Sequence, residues 1–220
     1  MRIFRKAIIT TLAAAALLAA ATPTFAQTQP KQQGLGVFVQ GGYIQSSTYA
    51  ENGVPTSDVS PKGGIIGVGF GGNKSGWFGV GVDLNYMFTS ASDVTVLNIG
   101  EAIAENGTLK SQTLDIPVYG RINFGGQSTK NAPTFYVPIG WFFDIRLNAD
   151  IDGTDVMDAF NGFSTGPMVG AGFEVYRIGV EARGMWAIKE LQSTGGGTFL
   201  NGVQDSKAFT FVLLFKVRLH

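Results

Sequence analysis

Eight charged side chains sit inside runs of Val, Ile, Phe and Trp: Asp83, Asp115, Arg121, Asp144, Arg146, Glu174, Glu181 and Arg183. Five carboxylates and three guanidinium groups support two kinds of chemistry. Close carboxylates can divide acid and base roles, and Asp144, Glu174 and Glu181 are the ones to consider. Alternatively the set is a structural ion-pair network, in which the planar fork of Arg grips carboxylates bidentately. The network is the better reading, because charges buried in a narrow space need partners for stability alone. The only histidine, His220, is the last residue, so a Ser-His or Asp-His hydrolase finds no positioned imidazole. There is no cysteine, which excludes disulfides, thiolate nucleophiles, thiolate metal sites and a lipid-bearing cysteine. No catalytic set and no cofactor is therefore expected.

One loop has the look of a cation site. "NADIDGTDVMDA" (148–159) offers Asp150, Asp152 and Asp158 with Gly153 at the sixth place of a twelve-residue calcium loop. Asn148 stands at position one, and Ala159 stands where the bidentate Glu belongs. A solvated acidic loop is the expectation, with weak Ca²⁺ binding at most.

The charges need elements to hold them. Residues 1–26 read as a secretory signal: "MRIFRK" is basic, "AIITTLAAAALLAA" is an apolar run too short to span, and "TPTFA" ends in small residues. Residues 27–33 form a polar leader, and 34–220 form one domain. Residues 1–26 hold three of the 16 basic residues and none of the 16 acidic ones, so the exported part has a net charge of −3. That balance argues against a nucleic-acid partner. All 31 glycines lie after residue 26, and apolar residues alternate with period two, which points to all-β.

Eight strand-like segments follow: 34–45, 62–72, 77–88, 111–124, 134–148, 165–176, 178–189 and 207–219. Long connections (46–61, 89–110, 149–164, 190–206) alternate with short ones (72–76, 125–133 and the joint at Arg177). This is the rhythm of an eight-stranded antiparallel up-and-down barrel in the outer membrane, with short turns inside and long loops outside.

Parity decides the faces, since strand side chains alternate. Phe78, Val80, Val82, Leu84, Tyr86 and Phe88 share one face, with Asp83 opposite. Leu114, Ile116, Val118 and Ile122 oppose Asp115 and Arg121. The same holds for Asp144, Arg146, Glu174, Glu181 and Arg183, and for Lys216 and Arg218 in the last segment. The charged face is also rich in glycine (Gly67, Gly69, Gly79, Gly81, Gly170, Gly172), leaving room for large side chains in a narrow interior. The apolar face therefore points to lipid. Asp83 and Arg146 are the first candidates to partner Arg121 and Asp115. Tyr43, Trp77, Phe88, Phe124, Phe135, Trp186 and Phe209 fit interfacial girdles, with Trp141 at mid-strand. Pro117 and Pro138 remove ladder donors and call for bulges near a rim.

The pieces "LDIPVYGRINFG", "FYVPIGWFFDIRLNA", "GPMVGAGFEVYRIGVEARGMW" and "FTFVLLFKVRL" resemble the small outer-membrane β-barrel domain proteins called PorT-like, and in size the OmpA/OmpX type. The resemblance covers about residues 34–219 and implies architecture more than activity. Its implied partners are outer-membrane lipid and, during assembly, the barrel-insertion machinery. The expected role is structural or surface interaction around a plugged, salt-bridged lumen. A narrow gated pore or transport component is the alternative, and a soluble periplasmic ligand-binding barrel is a third.

Overall fold

The computed structural model describes residues 36–50, 60–71, 77–98, 104–125, 133–190, 198–200 and 206–219. The expected signal, the leader and His220 lie outside the described residues. The strands are β1 (Gly36–Ala50), β2 (Lys62–Gly71), β3 (Phe78–Asn98), β4 (Ala104–Asp115), β5 (Val118–Gly125), β6 (Thr134–Ile151), β7 (Thr154–Asp155), β8 (Phe163–Val175), β9 (Ile178–Glu190), β10 (Thr198–Leu200) and β11 (Ser206–Arg218).

Eight of these make the staves of a closed barrel, with β4 and β5 counting as one. β1 pairs with β2, β2 with β3, β3 with β4 and β5, and these with β6. The circuit continues through β8, β9 and β11, and β11 closes on β1, every pairing antiparallel. Closure removes both sheet edges, which a lipid-exposed sheet requires because no water can satisfy a free ladder group.

Pro117 explains the split between β4 and β5. It offers no N–H, yet its carbonyl accepts from Asp83 N–H (3.0 Å), and Ile116 exchanges backbone bonds with Phe143 (2.9 and 3.2 Å). Register with β3 carries straight through, Asp115 opposite Asn85 and Val118 opposite Val82. Pro138 lies opposite Arg121 without a slip. The bulges expected at these prolines are therefore elsewhere: beside Leu147 in β6, between Ala91 and Val94 of β3, and at Lys207/Phe209 of β11. All three sit in the half of the barrel that carries the longer connections.

The faces divide as parity requires. Val80 is 52% exposed while Asp83, three residues on, is 1% exposed. Ile139, Trp141, Phe143 and Ile145 of β6, Ile178, Val180, Trp186 and Ile188 of β9, and Phe211, Leu213 and Phe215 of β11 also point outward. The belt spans about eleven residues of strand, the length a tilted strand needs to cross hydrocarbon. A soluble barrel would bury this face and wet the charges.

Above the belt the structure departs from expectation. Residues 89–110 were expected as a connection, but β3 and β4 continue as a paired hairpin through Leu97 and Ala104. Ten further residues lift this hairpin by about 30 Å at ordinary strand rise. β10 adds to β3 at Val96–Asn98, and β7 folds back onto β6 at Asp150 and Ile151. A short 3-10 turn (Met157–Ala159) then places Phe160 in a small outer core with Ala91, Leu109, Ala149, Ile151 and Val156. At the opposite end β8 turns into β9 through Tyr176 and Arg177, Tyr176 taking a φ of 55°.

Candidate functional site: the lumen and its outer mouth

The inner half of the lumen is a polar network. Arg183 is held between Asp83, with Nη2 to Oδ2 at 2.5 Å, and Glu181, which accepts from its Nε. Lys216 Nζ reaches Glu181 at 2.7 Å and Asp83 at 3.9 Å. Arg121 donates to Glu174 at 3.1 Å and to Asn123 at 2.6 Å, and Arg218 donates to the other oxygen of Glu174 at 3.0 Å. Two phenols finish the job: Tyr119 donates to Asp83 (3.1 Å) and Tyr136 to Glu181 (2.7 Å). The Arg121 guanidinium also lies 3.8 Å from the centre of the Tyr136 ring. Each cation meets two acceptors or an acceptor and a ring, which is what makes full burial tolerable.

The glycines make this possible. Gly69 lies opposite Asp83, Gly67 opposite Asn85, Gly81 opposite Tyr119 and Gly172 opposite Tyr136. A Cβ on any of them would land on the large side chain facing it. Small and large residues thus alternate across strand pairs, so that an eight-stranded interior is filled by side chains.

Above the network lies an apolar plug of Ile44, Ile65, Met87, Phe142, Met168, Met185, Val212 and Leu214. Above the plug the lumen opens as a cup. Its cavity of ≈ 100 Å³ has hydroxyl walls (Ser46, Thr89, Ser111, Thr113, Ser164 and Thr210), a floor from the plug, and Asp144 and Arg146 on one side. Asp144 and Asp115 are directly opposed across β6 and β4. Asn85 donates to Asp115 Oδ2 at 2.8 Å and accepts from Gln40 at 2.5 Å. The other oxygen of Asp115, Oδ1 of Asp144 and Nε of Arg146 are buried without a hydrogen-bond partner. Arg146 rests over the Phe160 ring at 4.5 Å, tying the barrel wall to the outer core.

The sequence profile of the outer membrane protein β-barrel domain matches residues 12–204. The chain belongs to this outer-membrane β-barrel domain family. Solved outer-membrane barrels resemble it in shape at low identity. Ail of Yersinia pestis, solved with a heparin analogue, is 16% identical over 84% of this chain and 99% of that one, with a TM-score of 0.43. OprG of Pseudomonas aeruginosa is 13% identical over 86% and 97%, at 0.47. The outer-membrane enzyme PagL is 13% identical over 82% and 98%, at 0.42. No curated protein matches the chain.

In this outer-membrane barrel the eight charges read from the sequence fall into two groups. Asp83, Arg121, Glu174, Glu181 and Arg183 join the inner network. Asp115, Asp144 and Arg146 stand above it, next to the cup. The suggested partners are corrected. Arg121 pairs with Glu174 rather than Asp83, and Asp115 accepts from Asn85 and lies opposite Asp144 rather than pairing with Arg146. Strand register is the reason: Arg121 lies opposite Gly79 and Tyr119 opposite Gly81, so Asp83 stands two inward positions beyond Arg121, within reach of the Tyr119 hydroxyl and Arg183. Tyr119, Tyr136 and Asn85 are members that sequence reasoning passed over, while Lys216 and Arg218 were placed on the inward face but not counted in the network. The tyrosines were hidden because aromatics are ordinary strand residues.

A plugged, salt-bridged lumen was expected, but the apolar layer of the plug was not. Its signal was a second apolar set at inward parity, Phe142, Met168, Val212 and Leu214, beside the outward one. In the acidic loop the carboxylates serve the backbone: Asp150 accepts from Gly153 N–H (3.3 Å), Asp152 from Thr108 N–H (3.2 Å) and Asp155 from Met157 N–H (3.0 Å). Asp158 joins none of these bonds. Among the described residues no three acidic or histidine side chains gather for a metal.

Proposed function

We propose that this outer-membrane barrel is a non-conducting, non-catalytic surface-interaction protein whose working end is the outer extension built on β3, β4 and β6. The observation that carries the reading is the double closure of the lumen, by the inner ion-pair network and by the apolar plug above it. A gated pore would have to break buried charge pairs and displace a packed apolar layer in one step. The belt of outward Val, Ile, Phe and Trp speaks against a soluble periplasmic barrel, since such a face is far larger than soluble proteins leave in water.

The partners of this reading are outer-membrane lipid at the belt and, during assembly, the barrel-insertion machinery. Within the family, the "LDIPVYGRINFG" and "GPMVGAGFEVYRIGVEARGMW" stretches favour the PorT-like branch. Removal of residues 1–26 on export belongs to the same reading. It predicts a mature protein that begins at Gln27, which N-terminal sequencing checks.

Because the chain has no cysteine, single-cysteine variants give a clean topology test. In intact cells a membrane-impermeant maleimide should label Lys110→Cys on the outer extension and leave Tyr176→Cys at the inner turn unlabelled. The reverse pattern overturns the orientation. In planar bilayers the refolded protein should show no discrete openings, and steady single-channel steps would favour the pore.

A further inference from the structure

The outer cup leaves charged groups unfinished, whereas the unpartnered buried atoms of the inner half, Gln40 Oε1 and Thr134 Oγ1, are neutral. Asp144 Oδ1 can accept and Arg146 Nε can donate, and neither does so. Buried unsatisfied charged groups are costly, so a site that keeps them is explained by something that completes them. The walls narrow the choice. Ser46 and Thr210 hydroxyls pair across β1 and β11 at 2.9 Å, and Thr89 and Ser111 across β3 and β4 at 3.0 Å. Each pair retains lone pairs for a further partner. The floor is apolar, from Ile44, Met87 and Phe142. Asp144 and Arg146, the two ionisable side chains lining the cup, ask for a donor and an acceptor respectively, and a neutral hydroxyl offers both. The space of ≈ 100 Å³ holds about three waters' volume, or the edge of a larger molecule entering from outside.

We infer that the cup binds one edge of a neutral sugar, its hydroxyls donating to Asp144 and accepting from Arg146 and the Ser/Thr ring, with a C–H face on the apolar floor. A hydroxyl is both donor and acceptor, which is what this mixed lining demands. This deepens the surface-interaction reading and rests on its outward orientation of the mouth. The sugar can come free in the medium or on a membrane glycolipid, and both offer the same hydroxyl edge.

The test uses the isotope-labelled full barrel in phosphatidylcholine nanodiscs, titrated with methyl glucoside, methyl galactoside and N-acetylglucosamine, while the Arg146 Nε–H resonance and the backbone amides of Ser111 and Thr113, which every variant retains, are followed. A second arm places lipooligosaccharide in the nanodisc. A saturable shift in either arm supports the site, and the arm that responds identifies the source. Asp144→Asn and Arg146→Gln should each weaken binding by about tenfold, the scale of a lost charged hydrogen bond. Thr89→Val and Ser164→Ala should weaken it less, and they carry the test if the charge variants do not fold. Heat-modifiable gel mobility reports folding. No shift with any sugar in either arm overturns the proposal and leaves a water-filled cup. A shift with glycine and none with sugars also overturns it, in favour of a zwitterion. The titration does not depend on orientation or conductance, so its failure is distinguishable from failure of the surface-interaction reading.

Discussion

The inner and outer halves of one lumen are built from similar residues and end in opposite states. In the inner half Arg183, Lys216 and Arg121 each meet at least one carboxylate, and the carboxylates of Asp83, Glu174 and Glu181 each meet at least two donors. In the outer half Asp144 and Arg146, two residues apart on β6, form no ion pair within 4.0 Å among the described residues, and each keeps an unbonded buried atom. Charged groups are satisfied below the plug and left open above it, while the unpartnered buried atoms of the inner half, Gln40 Oε1 and Thr134 Oγ1, are neutral. A buried charge is therefore not a function by itself. What matters is whether its neighbours satisfy it.

This contrast can be broken most severely from below. Arg183→Met removes one of the two cations shared by Asp83 and Glu181 and leaves Lys216 alone to balance two buried carboxylates. A loss of about 3–5 kcal/mol is expected, the usual cost of breaking a buried pair from one side. Urea unfolding of the refolded barrel in lipid vesicles, followed by Trp fluorescence, measures it. If Arg183→Met is as stable as the parent, the network is ornamental.

The outward face supplies the next largest effect. Ile139→Arg sets a cation near the middle of the apolar belt and should cost about 2–4 kcal/mol. In the same unfolding assay, Lys110→Arg on the outer extension should change stability by no more than about 0.5 kcal/mol. Equal effects at the two positions would mean that residue 139 does not face hydrocarbon.

Steric fit comes third. Gly172→Val drives a branched side chain into the Tyr136 ring, which must swing away from Glu181 and Arg121. The overpacking should cost about 1–3 kcal/mol. Gly172→Val combined with Tyr136→Ala should recover part of that loss, because the large partner is gone. Failure of this rescue would detach the glycine pattern from the lumen filling.

The smallest stability effect belongs to the cup. Arg146→Gln forfeits the contact with Phe160, about 0.5–1 kcal/mol, and the attraction to Asp144, with which it forms no ion pair, and sheds the desolvation cost of a buried guanidinium. If instead it destabilises the barrel as much as Arg183→Met, the outer charges are as structural as the inner ones, and the contrast between the halves collapses.

Legibility from sequence followed the same divide. "SQTLDIPVYGRINFGG" already put Asp115 and Arg121 on the face opposite Leu114, Ile116, Val118 and Ile122, and the structure buries both. It did not reveal that one would join the inner network and the other would border the cup. The hairpin of β3 and β4 was half hidden: residues 89–110 carry Ser, Asn, Thr and Lys without a strong apolar face, because above the belt there is no lipid to select one. The plug was masked because inward Phe142, Val212 and Leu214 sit next to outward Phe143, Phe211 and Leu213, so both faces read as apolar there.

Period-two alternation is a property of a single strand, set by backbone geometry. For that reason the sequence by itself determined the β class, the eight staves, the lipid-facing residues and the inward placement of every named charge. The partner of each charge depends on stagger between strands and on the register with which β11 closes onto β1. These are collective quantities, set by all the pairings together. Only the tertiary structure could decide that Arg121 meets Glu174, that Arg183 and Lys216 share Asp83 and Glu181, and that Asp144 and Arg146 remain open at the mouth.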